Sequence, residues 1–178
     1  MRIAQMLALA MLFGSIPFRY AFCRKNAENR TLDAKARMAL VALLDIAKGF
    51  LPVFLAKGML QSDYWIISVG IVAILSHCFP YWLMFKPNGT AVLPGLGVVL
   101  ALNSTAGIIA SAVYGISLLI FRKSFIAVII AAVSVPILFR VLGTPVAYIV
   151  FGLLGMAYVV LVHVPNIALL INGTEPKG

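Results

Sequence analysis

Apolar residues in this chain come in long blocks, not in the alternating pattern of strands or the one-faced pattern of surface helices. Seven blocks can be drawn, at about 3–22, 37–59, 64–85, 90–103, 105–121, 124–142 and 146–165, with short polar islands between them. A bilayer core of roughly 30 Å takes about 20 mostly apolar residues per helix. Within lipid, a helix satisfies every backbone donor and acceptor internally. The pattern predicts an all-α integral membrane protein of about seven transmembrane helices. Block 90–103 is short, which predicts a half-length or tilted helix sheltered by protein. Merging it with 105–121 would leave six spans and carry the last loop to the other side of the membrane.

Composition points the same way. The chain is 63% hydrophobic and only 11% charged, and its mean hydropathy is +1.07, so there is too little polar surface to cover a water-soluble globule. We read residues 1–178 as a single membrane-embedded domain. Fourteen Lys and Arg against five Asp and Glu give a net charge of +9. In a soluble protein that excess would suggest nucleic acid; here it orients the helices, and nucleic acid is not an expected partner. With seven spans and the N-terminus outside, Arg19, Arg24, Lys25, Arg30, Lys35, Arg37, Lys86, Arg122, Lys123 and Lys177 face the cytoplasm. Only Arg2, Lys57 and Arg140 fall outside, and Lys48 lies within a span. The C-terminus is then cytoplasmic, on the same side as the first loop and the Lys86 loop, as a shared active site requires. The opening "MRIAQMLALAMLFGS" has the look of a signal peptide, but its apolar run continues into the first polar motif, so cleavage is not expected.

Cys23 and Cys78 lie in separate apolar blocks without metal-ligand spacing, and we read both as packing residues. Neither a metal nor a cofactor is implied. Gly107, Ser111 and Gly115 recur at four-residue spacing and predict a small-residue stripe for close helix approach.

Three polar islands could carry chemistry. In "GSIPFRYAFCRKNAENR", Ser15 and Pro17 precede Arg19, Arg24, Lys25, Asn26, Asn29 and Arg30. Such a cluster is either a stop-transfer signal that attracts anionic lipid or a phosphate clamp, since guanidinium groups grip phosphate oxygens in pairs. In "SHCFPYWLMFKPNGT", His77 is an ionisable group within a span, either a site residue or one side of an interhelical hydrogen bond. The Lys86-Pro87-Asn88-Gly89-Thr90 turn after it opens a helix whose amides could hold an anion, and no nucleotide-binding loop is present. The third island, "HVPNIALLINGTEPKG", puts His163 and Asn166 on one face if the helix passes Pro165, with Glu175 and Lys177 in a tail able to fold back. A frayed end is the alternative. Asp45 and Lys48, three residues apart in "LLDIAKGFLP", are expected to pair with each other.

The stretches "GSIPFRY", "LLDIAKGFLPVFLA", "SHCFPYWLMFK" and "HVPNIALLINGTEPKG" resemble, in the same order and over nearly the whole chain, the bacterial acyl-phosphate-dependent glycerol-3-phosphate acyltransferases of the PlsY type. The resemblance implies a multi-pass enzyme of the bacterial inner membrane. Its reaction would move a fatty acyl group from acyl phosphate to the sn-1 hydroxyl of glycerol 3-phosphate, giving lysophosphatidic acid for phospholipid synthesis. It assigns catalytic positions to His163, Asn166 and Glu175, while the polar islands themselves offer Ser15, Arg24, Lys25, Arg30, Lys86 and Asn88 as substrate-binding residues.

Three motifs depart from the family pattern. The family's Ser-Gly-Asn-x-Gly-Ala-Thr-Asn loop is replaced by "RKNAENRTLDAKAR", without serine or glycine. The second motif, Lys-Gly-Gly-Lys-Gly-Val-Ala-Thr in the family, reads "KPNGTAVLPG" and keeps Lys86 alone; in the third, Val164 stands where the family has arginine. These changes leave two alternatives open. One is a catalytically impaired relative that binds lipid or a partner acyltransferase; the other is an acyltransferase with a changed acceptor.

Overall fold

A computed structural model describes residues 2–23, 34–84 and 90–172. Among them every regular element is helical. The helices are α1 (Arg2–Gly14), α2 (Phe18–Cys23), α3 (Ala34–Met59), α4 (Asp63–Cys78), α5 (Val92–Leu102), α6 (Ser104–Phe121), α7 (Ser124–Val141) and α8 (Val146–Ile171). Five stretches are long and apolar enough to cross a membrane: Arg2–Tyr20, Ala34–Met59, Ser104–Phe121, Ser124–Val141 and Val146–Ile171. Asp63–Cys78 and Val92–Leu102 are apolar but shorter. Each of the seven apolar blocks is thus helical, and α5, with 11 residues, rises only about 16 Å. The expected short helix is present.

Two blocks end differently from expectation. Block 3–22 breaks at Ser15–Pro17 into α1 and α2, and block 64–85 leaves the α-helix at Phe79, before Pro80. In both, proline lacks the N–H a helix needs and its ring pushes the preceding residue out of helical geometry. A 3-10 turn, Tyr81–Leu83, follows the second break and closes on Met84 at φ 53°. By contrast Pro52, Pro136 and Pro165 sit inside continuous helices. Helix α8 therefore passes Pro165 and runs on to Ile171.

The chain divides into two compact units, 1–102 and 103–178. In the first, α3 is the centre and packs against α1, α2, α4 and α5. Its contact with α5 is made by glycines: a Cβ on Gly49 would lie 2.0 Å from the Pro94 carbonyl oxygen, and one on Gly97 would lie 2.0 Å from that of Ile46. Lys57, in the last turn of α3, donates to the carbonyls of Ala101 and Leu102, each at 2.9 Å, and so satisfies the C-terminal end of α5. In the second unit α7 packs between α6 and α8. The Asn103 side chain caps α6 by accepting from Ala106 N at 3.0 Å. The small-residue stripe on α6 is used only in part, because Gly107 is buried whereas a Cβ on Gly115 would meet nothing within 4 Å. Close approach is concentrated at Gly49 and Gly97 instead.

Candidate active site

Within the first unit, polar chemistry gathers around one face of α3. Asp45 and Lys48 are one turn apart, hence on one side of the helix, and both are buried. Lys48 Nζ lies 2.8 Å from Asp45 Oδ1. That oxygen makes no directed hydrogen bond among the described residues, so the contact is held by charge. From α4, His77 brings Nδ1 to 3.4 Å from Lys48 Nζ and 3.7 Å from Asp45 Oδ1. An ammonium can only donate, so Nδ1 is the acceptor and the neutral ring carries its proton on Nε2. Over the cluster sits the Phe18 ring, its centroid 4.7 Å from Lys48 Nζ. An ammonium over an aromatic face recovers part of what it loses by leaving water. The cluster opens into a cavity of about 110 Å³ lined by Phe18, Arg19, Asp45, Lys48, His77, Thr90 and Leu93.

Within the second unit, His163 is buried on α8 and its Nδ1 is 2.8 Å from the Val159 carbonyl. A carbonyl only accepts, so Nδ1 carries a proton, and in the uncharged form of the ring Nε2 is the lone pair. This is the opposite tautomer to that of His77. Asn166, one turn further along the same helix, is exposed.

The expected site residues fare as follows. Ser15 is buried at the α1–α2 break and its hydroxyl donates to Leu12 O at 3.0 Å, which leaves the oxygen's lone pairs for a donor. His163 and Asn166 are neighbours on an unbroken helix, as their spacing requires. Arg24, Lys25, Arg30, Lys86, Asn88 and Glu175 lie outside the described residues. The expected Asp45–Lys48 pair forms, and His77 makes an interhelical hydrogen bond. What the spacing did not disclose is that these three residues line one cavity. The available signal was three ionisable groups within apolar blocks, each a site candidate by its location.

The sequence profile of the glycerol-3-phosphate acyltransferase family matches residues 26–173. The chain belongs to that family. It is similar to glycerol-3-phosphate acyltransferases of Prochlorococcus marinus strain NATL1A, at 32% identity over 93% of each chain, and of Gloeobacter violaceus, at 32% identity over 96% of this chain and 92% of that one. A relative from Jannaschia sp. strain CCS1 is 34% identical over 95% of this acyltransferase-family chain and 89% of its own. The fold matches the crystal structure of PlsY, an integral membrane glycerol 3-phosphate acyltransferase, in its glycerol 3-phosphate form, with a TM-score of 0.87 and 25% identity over 100% of this chain and 96% of that one. The lysophosphatidic acid form of PlsY matches with a TM-score of 0.84 and 28% identity, over 99% and 95% of the two chains. This glycerol-3-phosphate acyltransferase family member is an all-α, multi-pass integral membrane protein.

Proposed function

We propose that this acyltransferase moves a fatty acyl group from acyl phosphate to the sn-1 hydroxyl of glycerol 3-phosphate, releasing phosphate and lysophosphatidic acid. The likeness over the whole chain to PlsY in both its glycerol 3-phosphate and its lysophosphatidic acid forms carries this reading. We place the protein in the bacterial inner membrane as one functional domain, N-terminus outside and C-terminus cytoplasmic.

Acyl phosphate is already activated, so the protein's work is to position two anionic substrates and to stabilise charge as it develops. The acceptor oxygen attacks the acyl carbonyl carbon, and the bond from that carbon to the phosphate oxygen breaks. The hydroxyl proton passes to His163 Nε2, the lone pair left by the Val159 contact. Asn166 supplies a carboxamide donor on the same helix face, and Glu175 positions the tail. Arg24, Lys25, Arg30, Lys86 and Asn88 hold phosphate groups, and Ser15 accepts a hydrogen bond at the α1–α2 break.

The test is direct. Purified protein, given acyl phosphate and a panel of acceptors, is expected to release phosphate and form lysophosphatidic acid in equal amounts. The replaced motif positions, Val164 among them, favour a second reading in which phosphate-binding charge has been lost. No release under conditions where a full-motif relative works would establish that reading, a non-catalytic protein that binds lipid or a partner acyltransferase. Release only with another acceptor would establish a changed substrate.

A further inference from the structure

Helix length sets how much lipid the first unit can span, and it falls short of a bilayer. Helix α1 has 13 residues, α4 16 and α5 11, rises of about 20, 24 and 16 Å against a hydrocarbon core of roughly 30 Å. Tilt would shorten each further. The ends that face the polar cavity lie side by side. Gly14, which closes α1, abuts Ala73 and Ser76 of α4, and a Cβ on it would lie 2.6 Å from the Ala73 carbonyl oxygen. His77 follows Ser76 on α4, and Thr90, two residues before α5, lines the same cavity. The opposite end of α5 is held by Lys57, two residues before α3 ends at Met59. Helix α3, with 26 residues, runs on past the plane of His77.

Exposed side chains mark both boundaries of this layer. Tyr64 and Trp65 stand at the start of α4, next to Asp63. About 20 Å along, at His77, exposed polar residues already occur, since Arg19 and Thr90 line the cavity and are exposed. Tyr81 and Trp82 follow, both exposed and set edge to face at 5.7 Å. Tyr and Trp favour the headgroup layer at either face of a bilayer, whereas a charged side chain in hydrocarbon is costly. A full core starting at Tyr64 would continue roughly 10 Å past His77 and surround Arg19 with acyl chains. We propose that the first unit thins the bilayer around α4 and α5, drawing the headgroups of the leaflet on the cavity side inward to the plane of His77. The partner is phospholipid, and the surface fits short acyl chains over long ones, because helices shorter than the core are accommodated by local thinning. Thinning is independent of the acyltransferase reading, since it follows from helix lengths and boundary residues.

The chain has two tryptophans, Trp65 and Trp82, so depth can be read by fluorescence. In full-length protein carrying Trp65→Phe and Trp82→Phe, a single reporter is introduced by Leu75→Trp or, as the control, by Val133→Trp. Leu75 is 52% exposed on α4, and Val133 is 39% exposed at the middle of the 18-residue α7. Each protein is reconstituted in phosphatidylcholine vesicles brominated at graded depths along the acyl chains. Leu75 lies about 16 Å from Tyr64, at the centre of an unthinned core, but only about 3 Å from the plane of His77. Its reporter is expected to be quenched most by bromines near the headgroups, about 10 Å shallower than that of Val133→Trp, which should be quenched most near the chain ends. The parent protein in bilayer discs is expected to unfold at a higher temperature in dimyristoleoyl than in dierucoyl phosphatidylcholine. That second readout needs no substitution and decides the matter if Leu75→Trp fails to fold. Equal depth for the two reporters would put Arg19 in a water-filled pocket of an ordinary bilayer and overturn the thinning, as would a parent protein at least as stable in the longer lipid. Neither readout depends on turnover.

Discussion

Lys48 is 1% exposed, and a charge so placed is tolerable only where its counter-charge is equally sheltered. Removing one partner strands the other. Lys48→Met is expected to destabilise the protein by about 3–5 kcal/mol, whereas Lys48→Met with Asp45→Leu should recover much of that loss. Heat denaturation in detergent, followed for the two variants side by side, checks the difference. Equal losses would mean that packing volume, not charge, governs the position. Asn166 is the opposite kind of residue, exposed and adding little to the core. Asn166→Ala should lower kcat on the order of a hundredfold, as loss of a donor to developing charge does. Ile171→Ala, at 78% exposure on the same helix, should lower it only slightly at unchanged stability. Parallel assays of turnover and folded yield separate a catalytic position from a structural cap.

Among the helices, the α3–α5 contact is the tightest joint described. Gly97→Ala would force its Cβ against the Ile46 carbonyl, a backbone atom that cannot swing away. We expect a loss of about 1–3 kcal/mol, as for other overpacked sites. Gly95→Ala, two residues earlier with nothing within 4 Å, should be neutral or gain up to about 1 kcal/mol. The midpoint of thermal unfolding reads both. Such joints mark what the sequence could not disclose. Long apolar blocks identify helices because length and hydropathy are local properties, but small-residue spacing shows only that a face can be approached. Gly107 and Gly115 carried that spacing, yet the closest contacts formed at Gly49 and Gly97, which lie on different helices. Proline was ambiguous for the same reason: Pro17 and Pro80 end helices while Pro52 and Pro165 do not. The shared helix face of His163 and Asn166 was legible because both sit on one unbroken helix. The meeting of His77 with Lys48, 29 residues away, depends on how α3 and α4 settle against each other.

For the molecule as a whole, orientation remains the property read from charge alone. Reporter fusions after Arg30 and after Gly178 should both give a cytoplasmic signal, and opposite signals would exclude the even number of crossings that seven spans require between them. Helix α5 sets a different requirement. Rising about 16 Å against a hydrocarbon core of roughly 30 Å, it is too short to be released into lipid unaided. Its last carbonyls depend on Lys57, which was synthesised some forty residues earlier. A short α5 is thus expected to settle in the bilayer only with α3 already beside it to complete its C-terminal end.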